Sequence, residues 1–94
     1  STFPLAKEDI ALVVPSDIPV ARVEQVVRQG AGALAESVTL FDVYEGDQVE
    51  QGHRSLAFAL RLRGDHTLTA KEAEDVRRAV VAKARKALGA RLRA

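Results

Sequence analysis

The chain has no cysteine, so disulfides and thiolate metal sites are excluded, and this absence suits a cytoplasmic protein. It also has no asparagine, which bears on one enzyme class below. Aromatic residues are few, and Tyr44 is the single tyrosine. The longest unbroken apolar run, Ile10 to Pro15, falls far short of the roughly 20 residues that a membrane-spanning helix needs. The opening STFPLAKED has no signal-peptide character. What remains is 94 residues, 47% apolar and 29% charged, enough for one soluble domain over 1–94 with one modest core. A start at Ser1 without methionine fits a domain excised from, or closing, a larger chain.

Charge is unevenly spread. The net formal charge is +1, yet the stretch from Val76 to Ala94 holds Arg77, Arg78, Lys83, Arg85, Lys86, Arg91 and Arg93 and no acidic residue. Such asymmetry can mark a nucleic-acid contact. It is also what a solvated helix face shows when its cations gather toward the helix C-terminus.

Apolar periodicity gives the order of elements. DIALVVP, from Asp9, reads as a strand buried on both faces and closed by proline. Val20, Val23, Val26 and Val27 then form a helical stripe, with Pro19 at its start and Gly30 and Gly32 near its end. ESVTLFDVYE is a second strand, and GDQVEQGHR, Gly46 to Arg54, is a loop. SLAFALRLR is a third strand with clean alternation. TAKE, Thr69 to Glu72, is a capping box that opens a helix with Ala73, Val76, Val80, Ala84, Ala87 and Leu88 on one stripe, stopped at Gly89. ARLRA is too short for another helix and makes a last strand. The order β-α-β-β-α-β is α+β and ferredoxin-like: a four-stranded antiparallel sheet with two helices on one face.

The other sheet face is then open. On the third strand Leu56, Phe58, Leu60 and Leu62 must lie under the helices, leaving Ser55, Ala57, Ala59, Arg61 and Arg63 outward. Strict alternation on the second strand puts Phe41 and Val43 inward and Leu40, Asp42 and Tyr44 outward. Ala11 and Val13 of the first strand, and Arg91 and Arg93 of the last, complete the open face, with Leu92 inward. A floor of small residues admits a planar ligand, and a tyrosine there can stack a base. An aspartate suits an edge with adjacent N–H donors such as that of guanine, and arginines suit phosphates. These are the elements of single-stranded RNA recognition.

With FDVYEG, then a glycine and SLAF, after DIALVV and before a final LR, nearly the whole chain resembles the ferredoxin-fold anticodon-binding domain that closes the β subunit of bacterial phenylalanyl-tRNA synthetase. The resemblance implies that the open face binds the anticodon stem-loop of phenylalanine tRNA. It implies that Tyr44 stacks on the first anticodon base, a guanine, with Asp42 and Ser55 beside that base. It also implies an anticodon contact by Arg93 and close approach of the loop over Ala11. Where the family often has arginine just before the first-strand aspartate, this chain has Glu8, with Lys7 before it; either that backbone contact is missing or Lys7 takes it over. The implied partners are phenylalanine tRNA, the rest of the β subunit and the α subunit, with this chain alone a monomer. It would catalyse nothing and hold no cofactor, while the full enzyme would use ATP and Mg²⁺.

Two other functions share the fold. An acylphosphatase needs a glycine-rich phosphate loop after the first strand and an asparagine; VVPSDIPV has no glycine and the chain no asparagine. A small-molecule-sensing or assembly domain would pair sheets edge to edge. His53 and His66 fall in loops without cysteines or carboxylates at ligand spacing, so no metal site is expected. Gly46 and Gly52 are expected to serve loop geometry, and the basic residues of the second helix to face solvent or a docking surface.

Overall fold

The computed structural model describes residues 3–94. Its elements are β1 (Ala6–Pro15), α1 (Val20–Ala31), a 3-10 turn (Gly32–Leu34), β2 (Ala35–Tyr44), β3 (His53–Leu62), α2 (Ala70–Leu88) and β4 (Arg91–Leu92). The sheet order is β2-β3-β1-β4 and every neighbouring pair is antiparallel. This is the expected ferredoxin-like α+β arrangement. Two strand starts differ by two residues or more from the sequence expectation. β1 begins at Ala6, where Lys7, Glu8 and Asp9 follow in succession and the apolar run has not yet started, and β3 begins at His53, inside the expected loop.

The core lies between the sheet and the two helices. Ile10, Leu12 and Val14 of β1 and Leu56, Phe58, Leu60 and Leu62 of β3 are fully or almost fully buried against Val23, Val26 and Val27 of α1 and Val80 and Ala84 of α2. Each large apolar side chain buried in this way stabilises by roughly 1.5–3 kcal/mol. α2 starts at its capping box: Thr69 Oγ1 accepts from the Glu72 amide at 3.1 Å, and Glu72 Oε1 accepts from the Thr69 amide at 2.9 Å. It ends where Gly89 turns into the left-handed region at φ 65° and donates its amide to the Arg85 carbonyl. Its buried stripe is Ala73, Val80, Ala84 and Leu88. Ala87, expected on that stripe, is exposed, because one residue's rotation of the helix carries it off the contact face.

The second strand departs from strict alternation. Its pairing with β3 slips between Ala35 and Ser37 and again between Leu40 and Asp42. Leu40 pairs with Phe58 and packs on the helix-side core, whereas it was expected outward. Phe41, expected inward, is the extra residue of a bulge and is 57% exposed. Asp42 then pairs with Ala57, Val43 with Leu56 and Tyr44 with Ser55. Val43 is therefore on the helix side, but at the sheet edge it stays 48% exposed. The bulge reverses the parity of the residues before it and leaves Asp42 and Tyr44 on the open face.

The β2–β3 connection folds back onto the open side of the sheet. Arg91 of β4 pairs with Val13 and holds Glu50 of this loop by two bonds, of 2.7 and 3.2 Å. Arg93 donates to Gln48 Oε1 at 2.9 Å. Val49, between them, is buried yet lies outside the helix-side core. The Arg91 guanidinium holds the Glu50 carboxyl at about 2, down from its ordinary 4.5.

A Cβ on Gly30 would stand 2.9 Å from the Val80 Cα, so backbone must move if one is added. Gly30→Ala should lower stability by about 1–3 kcal/mol in a denaturant melt. The Glu50–Arg91 link has a depressed carboxylate, so its contribution is complete above about pH 4.5 and is lost as pH falls toward about 2. A carbon-detected NMR titration should place Glu50 in that low range, and Arg91→Ala should raise it toward the ordinary carboxylate range.

Candidate functional site

Register places the five singled-out residues in two adjacent rows across the helix-free face. One row runs Tyr44, Ser55, Val13, Arg91, each paired with the next. The other runs Asp42, Ala57, Ala11, and is extended by Arg93, whose amide donates to the Ala11 carbonyl at 2.8 Å. Paired residues in a sheet share a face, so Tyr44, Asp42, Ser55, Ala11 and Arg93 lie on one surface.

That surface is partly closed by its own side chains. The Arg93 guanidinium carbon lies 4.7 Å from the centre of the Tyr44 ring, a cation–π contact. Yet Tyr44 is on the β2 edge and Arg93 follows β4 on the opposite edge, three strand spacings or about 14 Å away. To meet, both side chains must lie down over β3 and β1. This accounts for Val13 at 1% exposure and Ser55 at 3% on a face that no helix covers. Ser55 is thus buried beneath neighbours instead of presented to solvent, which its position at a strand start did not reveal.

Most cations of this face are already neutralised. Arg61 pairs with Asp9 at 3.2 Å, Arg63 with Glu36 at 2.8 Å, and Arg91 with Glu50. Arg63 also donates to the Phe3 carbonyl. Lys7, opposite Arg61, and Arg93 have no carboxylate partner among the described residues. Asp42 is exposed and likewise has no hydrogen-bond or ion-pair partner among them, so its acceptor atoms are available. Glu8 is not on this face. It pairs with Leu60 on the helix side, and its carboxylate is 3.9 Å from Arg77 of α2. Arg77 is therefore tied to the sheet and is not simply solvated as expected.

Away from the face, His66 bridges two carboxylates that sequence spacing did not connect to it. Its Nδ1 is 2.7 Å from Asp65 Oδ1 and its Nε2 is 2.8 Å from Glu72 Oε2. Both bonds raise the imidazole pKa; the His66 bond lowers that of Asp65, and that of Glu72 is lowered first by the Thr69 amide and then by His66. Among the described residues no group of three or more His, Cys, Asp or Glu side chains is arranged to hold a metal. Among the described residues no helix is long and apolar enough to cross a membrane. Sequence reasoning missed Gly46: its backbone is not in the left-handed region, and the Tyr44 ring rests against it.

Comparison with known proteins gives the wider context. The model of the ferredoxin-fold anticodon binding domain matches residues 1–93. The chain is 55% identical over 94 residues to the phenylalanine–tRNA ligase beta subunit of Thermobifida fusca, and equally to that of Cutibacterium acnes. It is 54% identical to that of Streptomyces avermitilis. Each match covers 99% of this chain and 11% of the relative, so the chain spans about a ninth of their length. On this match over nearly its full length, the chain belongs to the ferredoxin-fold anticodon-binding domain family.

Proposed function

We propose that this chain is the tRNA-binding module of a phenylalanine–tRNA ligase β subunit and that its helix-free sheet face reads the anticodon stem-loop of phenylalanine tRNA. The observation that carries the proposal is the two-row surface, with an aromatic ring and, among the described residues, an unpartnered carboxylate and a guanidinium that has no carboxylate partner, above small residues. On this reading Tyr44 stacks on the first anticodon base. Asp42 accepts from its Watson–Crick edge, Ser55 adds a polar contact once the cover opens, and Arg93 contacts the loop. Ala11 and Ala57 leave room for the backbone to come close. Lys7, on the same face, takes the phosphate contact that the family's arginine would make, because Glu8 is turned to α2.

The chain itself then supplies binding and not chemistry. Adenylation and acyl transfer, with ATP and Mg²⁺, would belong to the rest of a cytoplasmic synthetase. The domain's part is to add binding energy remote from the reacting atoms and so orient the acceptor end. With few unpaired cations on the face, its phosphate contacts are few, and its salt dependence should be shallow. The edge-to-edge assembly alternative would use β2, but the bulge at Phe41 breaks the regular edge that strand addition requires.

Tyr44→Ala in the synthetase that carries this domain should weaken binding of phenylalanine tRNA by ~1–3 kcal/mol, read by filter binding at two salt concentrations. Replacing the first anticodon guanine should cost a similar amount in the wild type and little more in the variant. Equal affinity of Tyr44→Ala and wild type for the tRNA would contradict the proposal.

A further inference from the structure

Gly46 lies two residues beyond Tyr44, and nothing in its backbone calls for glycine. The described glycines with positive φ are Gly32, Gly52 and Gly89. What Gly46 lacks is the atom that matters. A Cβ built there would lie 2.5 Å from Tyr44 Oη, 2.8 Å from Cζ and 3.3 Å from Cε1. All three of its nearest neighbours belong to the phenol, so the ring tip rests directly on the glycine. Two residues further on, Gln48 accepts the hydrogen bond of Arg93, whose guanidinium lies over the same ring. One loop therefore fixes the ring twice, at its tip through Gly46 and over its face through the Gln48–Arg93 bond.

We infer that Gly46 is a positioning residue for base stacking by Tyr44, an inference that rests on the anticodon reading above. The missing side chain forms the seat in which the phenol lies flat across the sheet, at the height and tilt an incoming base would meet. The physical argument also says what a substitution does. The atoms in the way are the far end of a side chain and not backbone, so a methyl group at 46 displaces the ring and leaves the fold in place. This contrasts with Gly30, whose added Cβ would meet a neighbouring helix backbone.

The test uses Gly46→Ala, with Tyr44→Ala and the double variant. Tyr44 is the sole tyrosine and the chain has no tryptophan, so tyrosine fluorescence and the ring-proton resonances report on this ring alone. Gly46→Ala should shift the ring resonances and change the fluorescence of the 94-residue chain while its melting temperature stays within a few degrees of wild type. In the full synthetase it should weaken phenylalanine tRNA binding about 3- to 10-fold, and in the Tyr44→Ala background it should add no further loss. Unmoved ring signals would overturn the inference, and so would losses that simply add. A moved ring with unchanged binding, where Tyr44→Ala does weaken it, would also overturn it. If Tyr44→Ala itself leaves tRNA binding intact, the stacking reading falls and takes the functional half of the inference with it, while the ring signals still decide whether Gly46 is the seat.

Discussion

Pairing between β2 and β3 decides what the helix-free face presents, and one unpaired residue governs that pairing. Phe41 is inserted opposite no partner, so Leu40 before it points into the core while Asp42 after it points away. Without the insertion, a strand that buries Leu40 would also bury Asp42, and a carboxylate would face Phe58 and Leu56 at a desolvation cost the fold could not offset. With it, the strand keeps an apolar anchor at Val38 and Leu40 and still delivers Asp42 and Tyr44 to the other surface. The exposure of Phe41 is the local cost. The rest of the surface follows from ordinary alternation on β1 and β3 and from the short β4 that brings Arg93 beside Ala11.

Electrostatics shape that surface as much as its geometry does. Arg61, Arg63 and Arg91 each hold a carboxylate of the same molecule, so three of the cations that a charge count assigns to the face are spoken for. Exposed pairs of this kind contribute little to stability, but they remove attraction for phosphate that is not site-specific. What remains on this face without a salt-bridge partner among the described residues is sparse and varied: the Asp42 carboxylate, the Tyr44 ring, the Arg93 guanidinium and the Lys7 ammonium. On the proposed anticodon reading, such a surface would favour discrimination between bases over tight general binding. The Tyr44–Arg93 contact adds a further condition, since a base that stacks on the covered side of the ring must take the place of the guanidinium.

Much of this was legible in the sequence because two periodicities are strong. Leu56 to Leu62 alternate without a break, and Val23, Val26, Val27 and Val80 fall on helical stripes, so element order and the identity of the open face could be read directly. Tyr44, Asp42, Ser55, Ala11 and Arg93 were placed on that face, and register puts them there. The bulge was not legible, since Leu40 and Phe41 are both apolar and the pattern does not say which of the two points into the core; the correct side for Asp42 and Tyr44 came with wrong sides for Leu40 and Phe41. Contacts between residues remote in the chain were hidden too. Glu50–Arg91, Glu36–Arg63 and Glu8–Arg77 join positions tens of residues apart, and only the folded register brings them together. Gly46 looked like a turn glycine because its reason is a ring two residues away, not a backbone angle.

The sheet face, and not the basic helix α2, is the surface we propose meets RNA. This is tested most directly by mapping amide and side-chain chemical shifts of the 94-residue chain as an anticodon stem-loop of phenylalanine tRNA is added. The largest changes should fall on Lys7, Ala11, Asp42, Tyr44, Ala57 and Arg93, with α2 silent. Changes centred on Lys83, Arg85 and Lys86, with those six positions unmoved, would contradict it.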